Sequence, residues 1–110
     1  YNSLGDTIWS RRNKNGYGLS AMSLDKRGNV YTTGIAIGVN SEDIITVKYD
    51  NSGNLKWSRT YNGTADGFDI PFSLYIDNNS NIYISGQSRE NRLSVPKGII
   101  IKYSELKTNF

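Results

Sequence analysis

The sequence predicts an all-β chain built from two copies of one four-stranded antiparallel unit, and three observations carry that reading. Apolar residues come in short runs between clusters of Asn, Asp, Ser and Gly, the pattern of short strands joined by tight turns. Aromatics, mostly tyrosine, reach 12% in a chain that is only 36% apolar, a mixture suited to half-buried sheets. The chain also repeats itself. Tyr1 to Trp9 lies on Tyr49 to Trp57 at an offset of 48, with Gly5 on Gly53, Trp9 on Trp57 and Arg11 on Arg59. Leu24 to Gly34 (LDKRGNVYTTG) lies on Ile76 to Gly86 (IDNNSNIYISG) at an offset of 52, and Ile45 to Tyr49 on Ile99 to Tyr103 at an offset of 54.

A period of about 50 residues with four strand signals per unit is the pattern of a propeller blade; helical repeats lack this density of turns. Repeat 1 covers about residues 1–48, repeat 2 about 49–103, and a tail follows over 104–110. In chain order the strands are d, Thr7 to Arg12; a, Leu19 to Asp25; b, Asn29 to Gly34; c, Asp43 to Tyr49; and d, Leu55 to Thr60. The second unit follows with a, Phe72 to Asp77; b, Asn81 to Gly86; and c, Gly98 to Tyr103. Strand c carries continuous apolar runs (Ile44-Ile45-Thr46-Val47, Ile99-Ile100-Ile101), expected where both faces of a sheet are covered. Strand d interleaves Leu55 and Trp57 with Lys56 and Ser58, and such charges suit an outer edge that must not pair with other chains.

Between strands a and b sits Asp25-Lys26-Arg27-Gly28-Asn29, matched by Asp77-Asn78-Asn79-Ser80-Asn81; between c and d sits Asp50-Asn51-Ser52-Gly53-Asn54. A short acid accepts bonds from backbone amides two residues on, and Gly or Asn tolerates the positive φ of a tight hairpin. A calcium loop needs acids at alternate positions followed by Glu, a spacing these segments lack.

The pattern D-x-x-G-N-V-Y-x-T-G (Asp25 to Gly34) and then D-I-x-T-V-K-Y-D-x-x-G-N-L-x-W (Asp43 to Trp57) resembles the bacterial SBBP β-propeller repeat. The second copy matches through Asp77 to Gly86 and Ile99 to Tyr103, so the likeness covers nearly the whole chain outside its loops. It implies propeller blades from a secreted or surface-exposed bacterial protein, and no general catalytic residues. There are departures. Asp69 fits an acid that the family often places ahead of strand a, whereas Tyr17 stands there in the first copy; Ser80 replaces the turn glycine; and SELKTNF after Tyr103 has no G-N-L-x-W.

The strand order d-abc-d-abc thus begins with a spare d and ends with a unit lacking one. Two blades cannot close a ring of typically four to eight, and the outermost faces are left bare. A face on the order of 500 Å² at roughly 25 cal/mol per Å² is worth about 10 kcal/mol gross, comparable with the net stability of a typical domain. The expectation is a homo-oligomer of four, six or eight blades in total. It closes by pairing Thr7 to Arg12 of one chain with Gly98 to Tyr103 of the next, an interface of Thr7, Ile8, Trp9, Ile99, Ile100, Ile101 and Tyr103. The alternative is an excerpt of a longer single-chain propeller.

Composition narrows the chemistry. The chain has no cysteine and no histidine, which removes thiolate sites and the usual general base. No cofactor is expected. No apolar run is long enough for a membrane span. The 13 basic against 10 acidic residues fall short of a dedicated nucleic-acid binder; Arg11, Arg12, Lys14, Lys26, Arg27, Arg59, Arg89 and Arg92 read better as solvated edge charges. The leading functional reading is a non-enzymatic scaffold or binding module for carbohydrate or protein, its specificity residing in rim loops. Those loops are Arg12 to Gly18 with Thr60 to Asp69, and Ile35 to Glu42 with Gln87 to Lys97. Tyr17, Tyr61, Phe68 and Asp69 are the candidate ligand contacts, because aromatics beside acids stack on and hydrogen-bond a sugar. A glycoside hydrolase needs paired carboxylates, for which Asp66 with Asp69, or Glu42 with Asp43, are the candidates; the two copies do not share them. Trp9 and Trp57, at one point of strand d, suit packing better than ligand stacking. The Asn62-Gly63-Thr64 and Asn78-Asn79-Ser80 sequons read as turn chemistry.

Overall fold

A computed structural model describes residues 4–11, 18–38, 41–61, 67–90 and 93–104. They are all-β, with seven strands: β1 (Gly18–Leu24), β2 (Val30–Gly38), β3 (Ser41–Tyr49), β4 (Leu55–Tyr61), β5 (Phe68–Ile76), β6 (Ile82–Arg89) and β7 (Lys97–Tyr103). Strands β1 to β4 pair antiparallel in succession, and so do β5 to β7. The two meanders join into one open sheet, where the sequence suggested two separate ones, through a parallel bridge of Glu42 with Phe68 and a 3.2 Å bond from the Glu42 amide to the Gly67 carbonyl.

The turns follow one plan. The Oδ1 atoms of Asp25, Asp50 and Asp77 accept from the amides two and four residues on, at 2.9–3.0 Å. The Oδ2 atoms accept from the Asn side chain four residues on, and at Asp25 and Asp77 also from the hydroxyls of Tyr31 and Tyr83. The fourth residue of each turn has positive φ: 80° at Gly28, 85° at Gly53 and 62° at Ser80. Ser80 therefore keeps the conformation that glycine holds elsewhere, at some backbone strain.

Both meanders bend at one place. The β1–β2 register slips between Leu19 and Ala21, and the β5–β6 register slips between Pro71 and Ser73. Opposite them, a Cβ on Gly34 or Gly86 would collide with the carbonyl oxygen of Gly18 or Ile70. Only glycine lets the bulged strand approach so closely.

The core lies between the meanders. Tyr31 and Ile44 of the first pack with Ile82, Ile84 and Ile101 of the second, flanked by Trp57, Tyr61, Leu74 and Ile76. Period-two alternation accounts for the choice, since Ile82 and Ile84 share one face of β6 and Tyr31 stands on one face of β2. The buried Thr33 hydroxyl bonds the Ile45 carbonyl at 3.3 Å and faces the Thr46 hydroxyl at 3.4 Å.

Two expectations change. Strands b and c run further than the motif, out to the pair Gly38 and Ser41. Much of the segment read as a loop, Ile35 to Glu42, is thus a hairpin, held by pairs such as Ile35 with Ile44. Residues 7–11 of the expected first strand d are not a strand. A strand needs a paired neighbour, and among the described residues none adjoins this segment.

Candidate binding site at the strand ends

Tyr61 closes β4, and its ring reaches the end of the second meander where β6 finishes and β7 begins. A cleft of about 320 Å³ opens there, lined by Tyr61, Ser88, Glu90, Ser94, Lys97 and the apolar Val95 and Ile99. Antiparallel pairing sets Ser88 directly against Lys97, and Asp69 against Ser88 on the other side. The Ser88 hydroxyl donates to the Asp69 carboxylate.

Asp69 is fully buried. It acts through Ser88, holding that hydroxyl in place, and presents no surface to the cleft. Behind it stands Asp43, half-buried, whose carboxyl is pushed above its ordinary value first by burial and then by the neighbouring Asp69 charge. Asp43 Oδ1 and Arg89 Nε are buried without a hydrogen-bond partner. The cleft itself pairs hydroxyls, one carboxylate and one ammonium group with an aromatic ring and the apolar Val95 and Ile99. Such a surface can stack on a ring and hydrogen-bond its substituents.

Of the four expected ligand contacts, Tyr61 lines the cleft and Asp69 lies one bond behind it. Phe68 stands in β5 at the bridge to Glu42, away from the cleft lining. Tyr17 lies outside the described residues, as do Asp66, the Asn62-Gly63-Thr64 sequon, Arg12, Lys14 and Arg92. Asn79 of the second sequon is engaged in the Asp77 turn. Ser88, Glu90, Ser94 and Lys97 carry no site signal in the repeat pattern, because no counterpart recurs in the first repeat; Lys97 stands near where that repeat has Asp43.

Trp9, Arg11, Trp57 and Arg59 of the two strand d segments are engaged within the chain. The Arg59 guanidinium lies 5.3 Å over the Trp57 ring and 5.5 Å over that of Tyr103, and Trp57 meets Tyr31 edge-on at 6.2 Å. Trp9 Nε1 donates to the Asn51 carbonyl at 3.2 Å, and Arg11 Nε to the Gly53 carbonyl at 2.7 Å. Trp9 thus sits on the Asp50 turn of its own chain, with its ring 6.2 Å from that of Tyr49.

No known family model matches the chain, and no curated protein matches it. Among the described residues no helix is long and apolar enough to cross a membrane.

Proposed function

We propose that the chain is a two-blade propeller unit serving as a non-enzymatic binding scaffold, and that the Tyr61–Lys97 cleft takes a carbohydrate. The observation that carries the ligand class is the cleft: an aromatic ring beside Ser88 and Ser94 hydroxyls, Glu90 and Lys97, over Val95 and Ile99. The blade reading draws on the repeat-matched bulges at Gly34 and Gly86, the three matched Asp turns, and the face-to-face packing of the meanders. Further blades come from other copies or from a longer parent chain, and a secreted or surface location on a bacterium goes with the SBBP likeness. Catalysis is the weaker reading, because Asp69 is sealed behind Ser88 and only Glu90 among the described carboxylates lines the cleft. A glycan array probed with the chain and with Tyr61→Ala tests the proposal. Binding that the substitution abolishes supports it, an array without a binder discards the carbohydrate form, and glycan cleavage in the same mixtures overturns the non-enzymatic reading.

A further inference from the structure

The contact between the two meanders has two halves, and the repeat counterparts of each lie on the opposite side of the chain, where part of them is exposed. One half is the face of the second meander that carries Leu74, Ile76 and Ile82; its repeat counterparts in the first meander are Met22, Leu24 and Val30. Ile82 is 0% exposed, whereas Met22 and Leu24 are 61% and 56% exposed and Val30 is half-buried; Thr32, Ile45 and Val47, further along the same face, are already covered. The other half is the face of the first meander with Tyr31, Thr46 and Lys48; its counterparts are Tyr83, Ile100 and Lys102. Thr46 is 0% exposed and Ile100 is 80% exposed. Local geometry is kept where cover is not: Lys48 lies 5.3 Å over Tyr31, and Lys102 lies 5.5 Å over Tyr83. The chain therefore carries both surfaces of a contact it already makes once within itself.

The amino-terminal segment extends the same correspondence. Arg59 of β4 reaches across to Tyr103 of the second meander. Trp9 and Arg11, the counterparts of Trp57 and Arg59, stand beside Tyr49, the counterpart of Tyr103. Residues 7–11 thus lie beside Tyr49 of the first meander through Trp9, on the side where β4 lies beside Tyr103 of the second through Arg59. Trp9 also walls a groove of about 290 Å³ with Met22, Val30 and Tyr49. Strand β4 is held in its place by pairing with β3, in the register Lys48 to Trp57 and Thr46 to Arg59.

We infer that a second copy of this chain docks head-to-tail on the Met22–Leu24–Val30 face, with its β7 pairing antiparallel to residues 7–11. Repeat equivalence sets the register: Lys102 of the incoming copy stands opposite Trp9, and Ile100 opposite Arg11. Tyr83 of that copy then meets Trp9 as Tyr31 meets Trp57. A contact between unlike faces propagates by rotation and closes into a ring where that rotation divides a full turn; two, three or four chains then give four, six or eight blades. The inference rests on the propeller reading above, and it adds the occupant of the bare faces and the pairing that seats it.

Light scattering of the native chain and of two variants at exposed positions tests it. Met22→Glu blocks one face and Ile100→Glu the other. The native chain is expected at the mass of two, three or four copies, and each variant alone at the mass of one. An equimolar mixture of the variants is expected as a 1:1 pair, because the intact face of each fits the intact face of the other. Variants that associate alone, or that do not pair when mixed, overturn the head-to-tail contact. A native chain that stays monomeric at its highest soluble concentration overturns the second-copy occupant and leaves the faces to blades of a longer chain. Hydrogen exchange on that monomer separates the two failures: amides of β3 and β6 protected together keep the propeller reading, and meanders that exchange independently abandon it.

Discussion

Gly53→Ala and Gly28→Ala form a matched pair that isolates the seat of Trp9. Both glycines hold the fourth position of an Asp turn, at φ of 85° and 80°, so a Cβ costs either site about 1–2 kcal/mol of left-handed strain. Their surroundings differ. A Cβ on Gly28 meets nothing nearer than the Asn51 Cβ at 3.5 Å, an ordinary contact, whereas on Gly53 it falls 2.8 Å from Trp9 Cδ2 and 2.9 Å from Cγ. The Trp9 ring must then withdraw, stretching its 3.2 Å bond to the Asn51 carbonyl and loosening its contact with Tyr49. An aromatic contact of this kind is worth about 0.5–1.5 kcal/mol. Gly53→Ala is therefore expected to cost about 1 kcal/mol more than Gly28→Ala. Urea unfolding at one fixed chain concentration, in a Trp57→Phe background where Trp9 is the sole tryptophan, reads both quantities. The expected result is a lower midpoint for Gly53→Ala and a red shift of its native emission, with neither in Gly28→Ala beyond the strain. Equal midpoints and unchanged Trp9 emission would refute the seating of Trp9 on the turn.

Further outcomes follow from the same geometry. Ser80→Gly relieves a positive φ that its two counterparts meet with glycine and should stabilise by about 0.5–1 kcal/mol, the strain released less the backbone entropy glycine adds, read as a raised urea midpoint; a lowered midpoint counts against it. Asp25→Ala and Asp77→Ala should lower Tm more than Asp50→Ala, because only the first two strand a tyrosine hydroxyl along with the turn amides. The Asp25, Asp50 and Asp77 carboxyls all lie below their ordinary value: at Asp25 despite burial, through bonds led by the Asn29 side chain; at Asp50 chiefly through the Asn54 amide; at Asp77 chiefly through the Asn81 side chain. A depressed carboxyl contributes stability above the unfolded value of about 3.9, lost as pH falls through the folded value. Acid titration of Tm should show the loss below about pH 4, and each Asp→Asn variant should flatten it. Asp43 has the opposite sign, since its raised carboxyl costs stability when ionised. Asp43→Asn should raise Tm at neutral pH, with the gain fading as acid protonates the native carboxyl; a pH-independent difference would contradict that cause.

The parts of the fold legible in the sequence are those made by local bonds. The Asp turns close within six residues, from Asp25 to Tyr31, so they and the strands beside them could be read directly. The hairpin extension to Gly38 and Ser41 depends on what the partner strand offers beyond the motif, and Trp9 reaches a turn 42 residues away. Neither leaves a local signature. Tyr61 was legible at the cleft as an aromatic in a variable segment. Asp69 was legible as an acid, but its burial behind Ser88 arises from β5–β6 pairing. Glu90, Ser94 and Lys97 belong to one repeat alone, so comparing the chain with itself could not pick them out.

The proposed ring depends on the two meanders being equivalent units whose mutual contact can be repeated. The direct test is an electron-microscopy or crystal structure of the native particle, counting its sheets and measuring the rotation between neighbours. The expected result is a closed ring of four, six or eight four-stranded sheets, with every junction reproducing the packing of Tyr31 and Ile82 in one core and residues 7–11 paired to a β7 strand. A two-fold particle joined through like faces, or neighbours related by different rotations, would contradict it.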